Sequence, residues 1–131
     1  MNYFSGIDIF AHLSEQDQRN FSDFCQLQKL SSGDVLFREW DTPQALYLIS
    51  SGRMLVQKTL NWHQKNIAML WDGDLVWEMA FFWNPPLRNA TVTADIDSTV
   101  IVILKFSMEQ MMEKYPDLHS EIKSIIEERS I

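Results

Sequence analysis

From Ser14 to Leu27 the apolar positions recur at helical spacing: Phe21, Phe24 and Cys25 fall at i, i+3 and i+4, with Phe10 and Leu13 just ahead. Ser14 with Asp17 three residues on supplies a start signal, so the pattern predicts a helix over this stretch. After Ser31-Ser32-Gly33 the period falls to two, and short apolar runs are separated by turn residues. The expected strands cover Asp34–Arg38, Ala45–Ile49, Arg53–Leu60 after a turn at Gly52, and Lys65–Trp71 after a polar loop. Asp72-Gly73 turns the chain again, and Glu78–Trp83 has room for one or two helical turns before Pro85-Pro86 stops them. Thr91–Asp95 and Thr99–Phe106 return to strand character, the second as a Val-Ile run expected to be buried on both faces. Ser107 with Gln110 forms a capping box ahead of a face made by Met108, Met111, Met112 and Tyr115. Pro116 opens a final helix whose stripe of Leu118, Ile122, Ile125 and Ile126 either packs back on the body or pairs with a second copy.

Strands at this spacing with no long helix between them predict an antiparallel roll or barrel, mainly β, with flanking helices. The chain divides as one domain, 1–131: helices over 1–30, the roll over 31–106, and helices over 107–131. No internal repeat, low-complexity tract or linker is evident.

Composition narrows the picture. With 46% hydrophobic and 12% aromatic residues the chain is globular. A formal net charge of −7 opposes unaided binding to nucleic acid or to an anionic membrane surface, but not to a small anion in a local basic pocket. A single cysteine, Cys25, excludes an internal disulfide and fits a reducing, cytoplasmic setting; on its apolar face it reads as a core residue. MNYFSGIDIF has no basic residue and no long apolar run, so no signal peptide is expected, and Val100–Leu104 is too short to span a bilayer.

Enzyme chemistry finds no support, and neither catalytic nor metal-binding residues are assigned. His12, His63 and His119 are far apart and outside any metal-binding spacing. Neither a Gly-rich phosphate loop with its Lys nor a G-x-S-x-G elbow occurs. The stretch that most resembles a site is Leu70–Ala94. It places an acid, Glu78, and a base, Arg88, at the ends of a short apolar segment between strands, an arrangement suited to a small anionic ligand. Trp77, Phe81, Phe82 and Trp83 concentrate rings in that segment, more than a core readily hides.

Asp72-Gly73-Asp74, Glu78-Met79-Ala80 and Arg88-Asn89-Ala90-Thr91-Val92 together resemble the phosphate-binding cassette of cyclic-nucleotide-binding domains. That family includes catabolite activator proteins, protein kinase A regulatory subunits and cyclic-nucleotide-gated channels. Phe21, Gly33-Asp34-Val35-Leu36-Phe37, Leu46-Tyr47-Leu48-Ile49 and Gly52 follow in the family's order, so the resemblance covers most of the chain. It implies a jelly roll of about eight strands with its cassette at 73–92, and a non-enzymatic sensor for cAMP or cGMP. Arg88 would hold the phosphate with its charged planar fork, and Glu78 would accept from the ribose 2′-hydroxyl. Met79 and Ala80 would offer backbone amides, Asn89 would stand near the ligand and leaves its base open, and Leu70, Leu75 and Val92 would supply apolar walls. Ligand would reposition a hinge at Phe106–Tyr115 and the helix at Pro116–Ile131, and the chain as it stands is expected to hold no output domain of its own.

The family typically has Gly-Glu where this chain has Trp77-Glu78, and Trp40 stands where an earlier family turn often has Gly. A Trp in place of that Gly either accepts roughly 1–3 kcal/mol of strain or reshapes the turn, and its indole is the size to fill the ligand's space. A second reading therefore stands beside the first: a cassette closed by Trp77, in a module that works through a protein partner met by its aromatic patch or C-terminal stripe.

Overall fold

The computed structural model describes residues 2–7, 10–11, 13–38, 45–76 and 90–129, the side chains at 122, 123 and 125–129 excepted. The described elements run α1 (Glu15–Ser22), β1 (Cys25–Leu30), β2 (Val35–Phe37), β3 (Ala45–Ser51), β4 (Arg53–Leu60), β5 (His63–Trp71), β6 (Leu75–Val76), β7 (Thr91–Ala94), β8 (Ser98–Leu104), α2 (Lys105–Lys114) and α3 (Pro116–Arg129). All ladders are antiparallel, in two four-stranded sheets ordered β1-β8-β3-β6 and β2-β7-β4-β5. This is the flanked β-roll that the strand spacing predicts.

The first sheet separates two cores. Alternate side chains of its strands face opposite ways. Leu46, Leu48, Leu75, Ile101 and Ile103 meet Phe4, Phe10, Leu13, Phe21, Met108 and Leu118 on the helix side. Ile49, Val76 and Val100 instead meet Met54, Val56, Leu70, Ala90, Val92 and Ala94 inside the roll. The Val-Ile run of β8 is thus buried on both faces, as expected. Helix-side packing centres on three rings, Phe4 lying 4.5 Å from Phe10 and 5.1 Å from Phe21. Leu118, fully buried, fastens α3 back on the body, each such burial contributing about 1.5–3 kcal/mol.

Local signals and sheet partners disagree in three places. Ser14 does cap α1, its hydroxyl accepting from the Asp17 amide at 3.1 Å, but the helix ends at Ser22 rather than Leu27. Cys25–Leu30 is drawn into β1 by full pairing with β8, Cys25 opposite Ile103 and Leu30 opposite Ser98, which leaves Phe24 67% exposed. Burial pushes the Cys25 thiol up to about 12, in keeping with a core residue. At the other junction β8 passes directly into α2 at Leu104, so Ser107 lies within the first turn and makes no cap. The polar loop expected before Lys65 is a two-residue turn, Asn61-Trp62, with φ of 51° and 69°, and both strands run up to it.

One turn is built twice. In Ser31–Asp34 the Asp34 carboxylate accepts from the Ser31 amide (2.8 Å), Asp34 donates back to the Ser31 carbonyl (2.9 Å), and Gly33, at φ 93°, donates to the Ala94 carbonyl (2.7 Å). In Trp71–Asp74 the Asp74 carboxylate accepts from the Trp71 amide (2.8 Å), Asp74 donates to the Trp71 carbonyl (3.0 Å), and Gly73, at φ 86°, donates to the Ile49 carbonyl (2.8 Å). Mapping β1–β4 onto β5–β8 turns the order of one sheet into that of the other read backwards. The roll is therefore two copies of one four-strand plan, a repeat whose sequence trace is Gly33-Asp34-Val35-Leu36 against Gly73-Asp74-Leu75-Val76.

The β3–β4 corner is the tightest point. A Cβ on Gly52, whose φ is 114°, would lie 2.1 Å from Ser98 Oγ and 2.7 Å from Ser98 Cα. The Gly52 amide donates to Asp72 Oδ1 at 2.7 Å, and the Arg53 amide donates to Ser98 Oγ at 3.1 Å. Three turns from different parts of the chain close on this glycine.

Candidate functional site

Trp77, Glu78, Met79, Ala80, Arg88 and Asn89 lie outside the described residues, as do Phe81, Phe82, Trp83 and Trp40. What the structure describes is the frame that holds both ends of the 77–89 segment. The segment leaves β6, the outermost strand of the first sheet among the described residues, and returns to β7, an inner strand of the second. Its two roots, Val76 and Ala90, are fully buried and share the interior core with Leu70 and Val92. The segment thus passes from one sheet to the other with each end anchored in the roll's interior. Leu75 faces the helix side, on the opposite face of the sheet from Leu70 and Val92.

A ring pair stands between the roots. Phe37 lies opposite Val92 on β2–β7, Tyr47 lies opposite Val76 on β3–β6, and their rings stack at 5.9 Å and 26° across the two sheets. In the sequence Phe37 and Tyr47 belong to unremarkable strands, and only sheet pairing brings both beside the cassette.

The acids that precede the segment are engaged in structure. Asp72 receives the Gly52 amide and Asp74 the Trp71 amide, so both carboxylates hold the turn into β6. Arg53 is also engaged: its Nε donates to Asp95 Oδ2 at 2.5 Å, and its guanidinium lies 5.3 Å from the centre of the Trp71 ring. These bonds fix the entry to the segment. Among the described residues no group of His, Cys, Asp and Glu is placed to hold a metal, and His63 and His119 are exposed while His12 is not described.

A second contact concerns the C-terminal helices. Interaction with the Tyr115 hydroxyl lowers the Asp17 pKa below its ordinary 3.8, and the same interaction raises that of Tyr115 above 10.0. Tyr115 sits at the junction of α2 and α3, so this interaction links the junction electrostatically to α1. No described helix is long and apolar enough to cross a membrane.

Against known proteins, the model of the cyclic nucleotide-binding domain matches residues 27–115, from β1 to the end of α2. The fold is that of a regulatory ligand-sensing roll, and the chain belongs to the cyclic nucleotide-binding domain family. It is 30% identical over 112 residues to the Pycsar effector protein BcPycTIR of Burkholderia cepacia, with 84% of this chain and 35% of that protein covered. The regulatory domain of Toxoplasma gondii PKA, solved with cAMP, superposes with a TM-score of 0.80 at 18% identity, covering 93% of this chain and 47% of that one. The regulatory subunit of a cAMP-independent protein kinase A from Trypanosoma brucei superposes with a TM-score of 0.85 at 18% identity, covering 95% and 45%. The chain spans 23%, 35% and 57% of the first curated relatives it matches.

Proposed function

We propose that this chain is a non-enzymatic sensor module that binds a cyclic mononucleotide, cAMP or cGMP, through the 73–92 cassette and signals through α2 and α3. The observation that carries the proposal is the anchoring of Val76 and Ala90 in one interior core from two different sheets. That frame fixes where the segment leaves the roll and where it re-enters, the condition for the segment to hold a small ligand in place. Within it Arg88 takes the phosphate with two parallel charge-assisted bonds, each worth about 1.5–3 kcal/mol, and Glu78 accepts from the ribose hydroxyl. Met79 and Ala80 supply amides, and Leu70 and Val92 form the floor beneath them. The coupling is a population shift of the Tyr115 junction, limited by how differently the ligand binds its two positions.

A second reading has its own support. Trp77 replaces the glycine that the family uses for close approach, and the roll superposes as well on a cAMP-independent subunit as on one solved with cAMP. On that reading the module binds no nucleotide and works as a protein interaction surface. Calorimetric titration of cAMP and cGMP into the chain separates the two, with Arg88→Ala and Trp77→Gly in parallel. Micromolar or tighter binding that disappears in Arg88→Ala upholds the sensor. Silence in the natural sequence, with binding gained in Trp77→Gly, upholds the closed module.

A further inference from the structure

The β4–β5 hairpin projects a tip that the roll does not use. Trp62, at the second turn position, is 97% exposed and held at φ 69°, a left-handed conformation that bulky L-residues rarely adopt and that Gly normally fills. Leu60 beside it is 48% exposed. Two rungs behind Leu60–His63, Lys58 and Lys65 lie directly opposite each other in the ladder, a like-charge pairing that opposes strand association. Arg53–Trp71 contains three basic residues and no Asp or Glu, although the whole chain carries −7. Backbone strain, an exposed indole and apposed ammonium groups each work against the stability of the hairpin, and all three sit at one end of it.

We infer that this tip is a docking element for an anionic lipid surface. Trp62 and Leu60 enter the headgroup–acyl boundary, and Lys58 and Lys65 meet the anionic headgroups. The order in depth fits: the lysines lie about 7 Å behind the tip at roughly 3.4 Å per residue, within the ~5–10 Å over which interfacial elements bury their apolar part. Indole rings favour that boundary, and lysine stems reach back to phosphate level. The acids nearest the hairpin in sequence, Asp72 and Asp74, follow its base, and Asp95 pairs with Arg53 there, five residues or about 17 Å along the strand from Lys58. That exceeds the ~8 Å screening length at physiological salt, so the local charge governs the tip. Other occupants fit less well. Two copies meeting tip to tip would bring four lysines together. A protein pocket closing on one convex indole buries about 200 Å², far below the ~1,200 Å² of a stable interface. A single-stranded nucleic acid needs successive rings along a groove, where the tip offers Trp62 beside an aliphatic Leu60.

The test is flotation of the full chain with phosphatidylcholine vesicles, with and without phosphatidylserine. Partition onto the phosphatidylserine vesicles is expected to be about tenfold stronger. Trp62→Gly should reduce it by about tenfold while melting at the same or a higher temperature, because glycine suits the left-handed turn. Lys58→Gln with Lys65→Gln should abolish the difference between the two vesicle types, and soluble glycerophosphoserine should not compete. Equal partition onto both vesicles, or unchanged partition in Trp62→Gly, overturns the inference. Competition by the soluble headgroup does so as well, as does tighter retention by a single-stranded oligonucleotide that is lost in Trp62→Gly.

Discussion

The two halves of the roll use the same turn and diverge after it. From Gly33-Asp34 the chain enters β2 and reaches β3 through residues 38–44; from Gly73-Asp74 it enters β6 and reaches β7 through residues 77–90. These are equivalent connections in one four-strand plan, and the longer carries Glu78 and Arg88. The scaffold is thus duplicated and the candidate chemistry is not. What distinguishes the halves is a longer link at a position where both ends are already clamped, and loop length there adds little entropic penalty.

Four changes test this comparison, from the largest expected effect to the smallest. Gly52→Ala strikes where turns of both halves meet, and should lower stability by about 3 kcal/mol or more in denaturant titration, since the new Cβ meets Ser98 backbone as well as side chain. Arg88→Ala removes only what the longer link adds. On the sensor reading it lowers cyclic nucleotide affinity by about a hundredfold, equivalent to roughly 2.7 kcal/mol, with the ligand-free melting temperature held. Asp34→Ala and Asp74→Ala break the same carboxylate-to-amide bond in the two halves, so each should lose a similar ~1–2 kcal/mol. Only Asp74→Ala should also reduce the melting shift given by nucleotide, because its turn leads into the cassette; equal reduction in both would dissolve the distinction.

The smallest effect concerns pH. Hydrogen bonding from Tyr115 lowers the Asp17 pKa, so the stability it brings is present above pH 3.8 and is lost as pH falls through the lower folded value. The Tyr115 pKa is raised, so its share is present below pH 10.0 and is lost as pH rises through the higher folded value. Tyr115→Phe should remove both contributions, flattening the acid and alkaline limbs of the stability profile. Burial of Cys25 adds a further decline from pH 9.0 toward about 12, which Cys25→Ala isolates.

Much of the fold was legible in residues whose effect is local. Ser14 fixes the start of α1 through one bond to Asp17, Gly52 and Gly73 mark turns by φ values that other residues resist, and the Val-Ile density of β8 announces a strand covered on both sides. The candidate site was expected from Glu78 and Arg88 at the ends of a short apolar segment, which lie outside the described residues, and from a family resemblance that the match to residues 27–115 bears out. Less visible was how the turn before it is held: Asp72 and Asp74 accept from the Gly52 and Trp71 amides, bonds that turn residues alone do not announce.

By itself, then, the sequence determined the alternation of strands and turns and the flanking helices, because dihedral preference, capping and periodicity act within a few residues. Tertiary structure alone decided that Cys25–Leu30 is strand rather than helix, that Leu75 faces the helices while Leu70 and Val92 face the roll, and that Phe37 and Tyr47 stack between the roots of the 77–89 segment. Each of these depends on a partner distant along the chain, as Cys25 depends on Ile103 and Phe37 on Val92, and no local pattern encodes which partner wins.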